Sequence, residues 1–321
     1  MNQIFCLDEQ FSTTRQISSV MPAPMAELTE KKSLMSALVL NANRKKTADG
    51  GLRTHGHFKM NRASTKEKND AVLITIITVA YNAKETIEQT ILSVIGQSYS
   101  NVEFIVVDGG STDGTLDIIR KYEHAIDYWI SESDTGISNA FNKGILLSTG
   151  EYHLVLNADD WYDIDAISTL AADLPADQTF AVLCSDARVV DEEGKFVRIY
   201  RSLPENLLRK MSLAHNTCLT NSEMAITLMG YNESKKIAMD HDLMLRLLKA
   251  NGFGMFKKVN GCIANYRLGG VSDKLAYAGF REVRENLIYY GVPKIRSYSQ
   301  YYYNLMKHFL GIKLNKIKNK K

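Results

Sequence analysis

At 321 residues, with 45% apolar and 23% charged side chains, the chain is long enough for one large domain or two small ones and has an ordinary globular composition. Its net charge of +3 hides an acidic middle: residues 71–285 carry 20 Lys and Arg against 29 Asp and Glu, residues 1–70 carry 11 against 7, and residues 286–321 carry 8 against none. An acidic body between basic ends excludes a nucleic-acid-binding domain, which needs positive charge on its folded surface. No apolar run approaches the ~20 residues of a membrane span. Cys6, Cys184, Cys218 and Cys262 are too scattered for a disulfide framework or a zinc site, so the expected address is the reducing cytoplasm.

Residues 1–70 mix Ser, Thr, Asn, Lys and Gly without a sustained period and read as a weakly ordered leader. Order begins at Ala71. Val72–Val79 is rich in β-branched residues and fits a strand buried on both faces. Thr86–Gln97 has Ile87, Ile91, Val94 and Ile95 at helical spacing. Val102–Val107 is a second buried strand, Ser111–Tyr122 a helix, Ile126–Ser131 a short strand, Ile137–Leu147 a helix and Tyr152–Leu156 another strand. Strict alternation of strand and helix predicts a mainly parallel α/β sheet with helices on both faces. The rhythm then changes. Phe180–Val190 and Phe196–Arg201 flank a hairpin signal at Asp191–Gly194, Asp240–Lys249 is an amphipathic helix, and Phe253–Val259 and Cys262–Arg267 read as two further strands.

Ligands of an open parallel sheet bind at the carboxyl ends of its strands. Here those ends carry Tyr81 and Asn82, then Asp108, then Glu132 and Asp134, then Asn157, Asp159 and Asp160. Several acids and no lysine on one rim would repel a phosphorylated ligand unless a divalent cation bridges them. The pattern predicts a metal–diphosphate site in which the chain supplies carboxylates and the ligand supplies phosphates. A plain helix-capping role stays open for Asp108, and Asp113 reads as a turn residue.

The blocks IITVAYN (76–82), VVDGGSTDGT (106–115), SESDTGISNAFNKGI (131–145) and LNADDWY (156–162) resemble the family 2 glycosyltransferases of GT-A fold. MGYNES (229–234) and AMDHDLMLRL (238–247) resemble that family's second half. The resemblance covers roughly residues 70–270 and is closest to enzymes of bacterial colanic-acid and O-antigen synthesis. It implies a GT-A domain over 71–270 with a helical tail over 271–321. The implied activity is inverting transfer from a nucleotide sugar, most commonly a UDP-sugar, to a saccharide or lipid-linked acceptor, with Mn²⁺ or Mg²⁺ as cofactor. On the resemblance, Tyr81, Asn82, Asp108, Asn139 and Asn157 would line the nucleotide sugar, Asp159 or Asp160 would bind the metal, and Asp240 would be the catalytic base. His215 would meet the acceptor or a phosphate, or else be a satisfied buried histidine.

Three positions depart from the family pattern. Asn157 replaces the first Asp of the metal motif, Asn139 stands where many relatives carry Asp, and Met239 stands where Glu commonly precedes the base. A catalytically degenerate nucleotide-sugar-binding protein is therefore the alternative. A nucleotidyltransferase would want a Gly-rich, basic loop after the first strand, and a dinucleotide dehydrogenase would want GxGxxG; neither is present. Past Glu285 there is no acid, while tyrosines interleave with Lys and Arg, and Tyr301, Leu305, Phe309 and Ile312 recur at helical spacing. That is the composition of an interfacial helix on an anionic membrane, peripheral rather than spanning; a solvated basic tail or a helix on a second subunit is the other reading.

Overall fold

The computed structural model describes residues 4–21, 48–60, 71–175 and 178–318, with residues 311–318 as backbone only. Strands β1 (Ile4–Phe5), β2 (Ile17–Ser18) and β4 (Phe58–Lys59) form a small antiparallel sheet. The main sheet contains β3 (Ala48–Gly50), β5 (Ile74–Ala80), β6 (Val102–Asp108), β7 (Tyr128–Ser131), β8 (Tyr152–Asn157), β9 (Trp161–Tyr162), β10 (Val182–Val190), β11 (Phe196–Tyr200), β12 (Leu219–Asn221) and β13 (Phe256–Arg267). Its order is β3-β7-β6-β5-β8-β12-β10-β13-β9, with β11 on the side of β10.

The four central strands β7, β6, β5 and β8 are parallel, in register from Ile74↔Val102 to Ala80↔Asp108 across β5 and β6. Every residue of β5 and β6 is buried, which is why their sequence is mostly apolar and β-branched rather than alternating, with the polar exceptions Thr75, Thr78, Glu103 and Asp108. Helices α1 (Ile87–Ile95), α2 (Thr115–Lys121) and α4 (Ala166–Ala172) cover one face through Ile87, Ile91, Ile119 and Ile167. Helices α3 (Ile137–Leu147) and α6 (Met239–Asn251) cover the other through Phe141, Ile145, Leu243 and Leu247. Full burial of each such side chain is worth about 1.5–3 kcal/mol, so the two faces hold the sheet rather than local propensity. Beyond the central four, pairings are antiparallel except β10 with β13. The two strands expected over 253–267 are one strand, β13, which bends at Gly261 (φ +113°) and shifts register against β10. A glycine at positive φ lets the ladder take up an extra residue without ending.

The weakly ordered leader does not describe residues 4–21 and 48–60. Ser12 Oγ donates to Val94 O at 3.0 Å, Thr13 Oγ1 to Ala125 O at 2.6 Å, and Arg53 pairs with the buried Glu103. Strand β3 runs antiparallel to β7, Ala48 against Ser131 and Gly50 against Trp129. These elements are two to four residues long, too short to show a period. Residues 1–3, 22–47 and 61–70 lie outside the described residues.

The expected boundary near residue 270 is not where the packing ends. After α5 (Ser222–Thr227) and α6 come α7 (Val271–Lys274), α8 (Ala276–Tyr289) and α9 (Lys294–Lys318). Leu287 and Val292 belong to the core beside α6. Helix α9 folds back on α8, with the Arg284 guanidinium 4.8 Å from the ring centres of both Tyr298 and Tyr301. Among the described residues no helix is long and apolar enough to cross a membrane.

Candidate active site

The carboxyl ends of β5, β6, β7 and β8 form the rim. Asp108 ends β6 but turns inward and is fully buried. Its carboxylate accepts from the Gly110 and Ser111 N–H groups at 3.2 and 3.1 Å and from Ser131 Oγ at 2.6 Å, so it shapes the loop after β6. A contact with base or ribose, as expected for Asp108, is not open to a carboxylate in that position. Asn82, at φ +49°, joins the same loop: its N–H donates to Ser111 Oγ at 2.8 Å and its Oδ1 accepts from Thr112 N at 3.0 Å. Asp113 accepts from Thr115 N at 2.9 Å and starts α2. Gly109 permits a close approach: a Cβ there would lie 2.6 Å from Asp134 Oδ2 and 3.3 Å from Tyr81 Cδ2. Asp134 and the exposed Tyr81 thus flank bare backbone at the rim.

The rim is not free of lysine. Lys143 of α3 pairs with Glu132 at 2.6 Å, both side chains almost wholly buried, and neutralises one of the expected acids. Sequence spacing could not show this, because Lys143 comes from the helix behind the strand end.

Asp159 and Asp160 follow β8, and the structure separates them. Asp160 is 1% exposed, accepting from Arg267 N–H at 2.9 Å through Oδ1 and from Asn216 Nδ2 at 3.1 Å through Oδ2. Burial, with the charge of Asp159 beside it, pushes its carboxyl well above the usual range. Asp159 is less enclosed and points towards Gly270, where a Cβ would lie 3.4 Å from Oδ2. Burial raises its carboxyl too, against the pull of Arg267. Arg267 closes this corner: Nε donates to Asp159 O at 3.2 Å, Nη2 to Gln89 Oε1 at 2.8 Å, and the guanidinium lies 4.9 Å from the Trp161 ring centre. No motif marks Arg267; it is the last residue of a strand about 100 positions downstream.

Among the described residues no three His, Cys, Asp or Glu side chains gather as a metal cage. A divalent cation fits only as one that its ligand completes. Asp159 offers a carboxylate, and Asn157 Oδ1 is buried with no hydrogen-bond partner. One or two protein oxygens plus substrate phosphates suffice for a hard cation.

Asn216 links this loop to the second half of the site. It lies in a 3₁₀ turn, His215–Thr217, and its carbonyl accepts from Tyr162 OH at 2.7 Å. His215 Nε2 lies 2.8 Å from Tyr231 OH, and its ring meets Phe141 edge-on at 5.5 Å. Burial lowers His215 to about 4, so the imidazole is neutral near pH 7. Asn139 is buried, donating to Glu233 Oε1 at 3.1 Å, and Asn142 donates to the same oxygen at 3.2 Å. Asn139 therefore anchors the 229–236 loop, a partnership absent from its expected role at the nucleotide sugar.

Asp240 occupies the first turn of α6. Its Oδ1 accepts from His241 N at 2.7 Å, and burial, with Glu282 adding to it, raises the carboxyl to about 6. Its charge also acts on Tyr200, Cys218 and Tyr231. A carboxylate titrating near neutrality suits proton transfer. Asp242, two residues on, pairs with Arg246 at 2.8 Å and accepts from Tyr290 OH at 3.2 Å, so it is structural.

The sequence model of Glycosyl transferase family 2 matches residues 75–234. Chondroitin synthase of Escherichia coli is 28% identical over 236 residues, 70% of this chain but 34% of that protein, so the chain spans about a third of that relative's length. TuaG of Bacillus subtilis, named for teichuronic acid biosynthesis, is 31% identical over 61% of this chain and 79% of its own. Among solved structures, Staphylococcus aureus TarS 1–349 in complex with UDP-GlcNAc superposes with a TM-score of 0.53 at 17% identity, covering 74% of this chain and 72% of that one.

Proposed function

The chain belongs to glycosyl transferase family 2, and from that premise we propose that it is an inverting transferase moving a sugar from a nucleoside-diphosphate sugar, a UDP-sugar first, to a hydroxyl of a saccharide acceptor. The observation that carries this reading is the bond from Asn216 to Asp160. It ties the acid loop after β8 to the turn that carries His215, which supports a diphosphate site and an acceptor site next to one another.

In the transfer, the acceptor oxygen bonds to the anomeric carbon as that carbon's bond to the diphosphate oxygen breaks. The hydroxyl proton passes to Asp240, and the electron pair leaves with the nucleoside diphosphate. Asp240 is largely ionised at pH 7 yet basic enough to take the proton, because burial sets it near 6. His215, neutral and oriented by Tyr231, directs a hydrogen bond towards the acceptor. Asp160 holds the acid loop in place, and Asp159 with Asn157 would hold the divalent cation. When bound, Mn²⁺ or Mg²⁺ neutralises charge on the leaving diphosphate. Tyr81 and Asp134, over Gly109, would receive the nucleotide.

The acceptor is read as lipid-linked and the protein as peripheral to an anionic membrane. Helix α9 exposes Tyr302, Tyr303, Met306, Phe309 and Leu310, and lysines follow to the end of the sequence. Aromatic rings at headgroup depth beside lysines suit such a surface. The deciding experiment incubates the purified protein with a panel of nucleotide sugars and Mn²⁺ and measures nucleoside diphosphate release. Release from at least one donor, lost in Asp240→Asn, is expected; no release from any donor, with or without saccharide acceptors, would reject the reading in favour of a binding protein.

A further inference from the structure

Helix α6 begins without a cap of its own. Its N-cap residue is Ala238, which has no side chain to accept a hydrogen bond, yet Ala238 and Met239 are buried and the N–H groups leading into the helix need acceptors. Those acceptors come from α8, some 45 residues downstream. Glu282, 6% exposed, accepts from the N–H groups of Lys236 and Ile237 at 3.0 Å each and of Ala238 at 2.9 Å. One turn on, Asn286 Nδ2 donates to Ala238 O at 3.0 Å. One turn back, Gly279 lets α8 approach so closely that a Cβ would lie 3.0 Å from Ile237 Cγ2. Residues 279, 282 and 286 stand at i, i+3 and i+7, a single face of α8. That face grips three consecutive residues, 236–238, immediately before the turn that carries Asp240.

We propose that Glu282 is a positioning residue for the transfer, a cap supplied by α8 that fixes where the first turn of α6 holds the Asp240 carboxylate. The inference rests on Asp240 being the proton acceptor. Several groups face Asp240. Tyr200, Cys218 and Tyr231 are held protonated by burial, and His241 is lowered to about 4 and bonded to Leu207 O, so all four are uncharged at neutral pH. His215, bonded to Tyr231, is also neutral. Asp242 is paired with Arg246. Glu282 remains as the charge that acts on Asp240. Burial alone would raise the Glu282 carboxyl, but the three N–H bonds and Lys235 outweigh it and keep the group ionised. Since a displacement of about 1 Å at a reacting group can lower turnover on the order of a hundredfold, a cap that sets this position matters to rate.

Two substitutions separate charge from position. Glu282→Gln keeps the length and removes the charge: kcat should fall roughly ten- to a hundredfold, and the acid limb of the kcat/KM profile should move to lower pH. Glu282→Asp keeps the charge but draws the carboxylate back from its three N–H groups: kcat should fall while the acid limb stays in place. UDP affinity, measured by calorimetry, should be unchanged in both, which also verifies that each variant folds. Wild-type kcat with an unmoved acid limb in Glu282→Gln overturns the proposal; if that variant does not fold, wild-type kcat in Glu282→Asp does. Asp240→Asn is run alongside. Retained turnover there rejects Asp240 as the base, whereas its loss together with wild-type behaviour of the Glu282 variants rejects only the cap.

Discussion

The backbone N–H of Arg267 donates to Asp160 Oδ1 at 2.9 Å, so the last residue of β13 holds the acid loop that follows β8. Asp160→Ala would leave that N–H and the Asn216 amide buried without partners, at roughly 1–3 kcal/mol for an unsatisfied group. The variant should melt several degrees lower. Asp159→Ala removes a carboxylate that holds no such bonds; its melting temperature should stay near wild type while Mn²⁺-stimulated turnover is lost. Paired thermal unfolding and turnover assays test this, and metal-stimulated turnover persisting in Asp159→Ala would remove Asp159 from the metal site.

Asp240 acts only when ionised, so activity should rise with pH through about 6. Asp240→Asn should lower turnover by at least about a hundredfold while leaving UDP binding intact, since the amide is nearly isosteric but accepts no proton. Loss of UDP affinity with unaltered turnover at saturation would contradict the assignment.

The same substitution should stabilise the protein at neutral pH. The folded carboxyl titrates near 6 and an unfolded one near 4, so the native state binds the proton more tightly. The charged form therefore destabilises the fold fully above pH 6, and this penalty fades as the pH falls towards 4. At pH 7.5 Asp240→Asn should gain on the order of 2 kcal/mol, and at pH 4 almost nothing. Denaturant melts at the two pH values decide it; equal shifts at both would mean that the carboxylate is not strained by burial.

His215 is held neutral and aimed by Tyr231, so it contributes geometry and not charge. Tyr231→Phe should reduce kcat/KM about fivefold, the worth of one hydrogen bond of roughly 1 kcal/mol, without adding a limb to the pH profile near 6.5. A new ionisation near that value would show that the tyrosine, rather than burial, keeps the imidazole neutral.

Membrane contact through α9 is best tested past the Arg284 stack on Tyr298 and Tyr301, which ties α9 to α8. Deleting residues 311–321 removes Lys313, Lys316, Lys318, Lys320 and Lys321 and spares that stack. The shortened protein should release nucleoside diphosphate normally but co-sediment poorly with anionic vesicles, each lost lysine weakening binding by at most about 1 kcal/mol at low salt. Equal pelleting of the two forms would exclude this part of the tail as the contact.

The central sheet was legible because β5 and β6 are buried on both faces and their sequence is dominated by apolar, β-branched residues. Helix α3 was legible to the residue, since Ile137, Phe141 and Ile145 repeat along one face. The inward turn of Asp108, the split between Asp159 and Asp160, and the pairing of Lys143 with Glu132 were not legible. Each depends on which neighbour across the fold reaches a side chain first, and local spacing carries no trace of that. Asp240 lies beyond the stretch matched by the family, and its surroundings come from Glu282, later still in the chain.

Strand β3 lies against the outer side of β7, whose other side pairs with β6. A protein shortened to begin at residue 71, where the alternation of strand and helix starts, would leave Tyr128–Ser131 with a row of unsatisfied N–H and C=O groups facing water. Bare edges of that kind recruit strands from other molecules and seed aggregates. Ala48–Gly50 therefore acts as a stopper against self-association, and this strand should govern how much soluble protein a cell accumulates, even where it leaves the chemistry untouched.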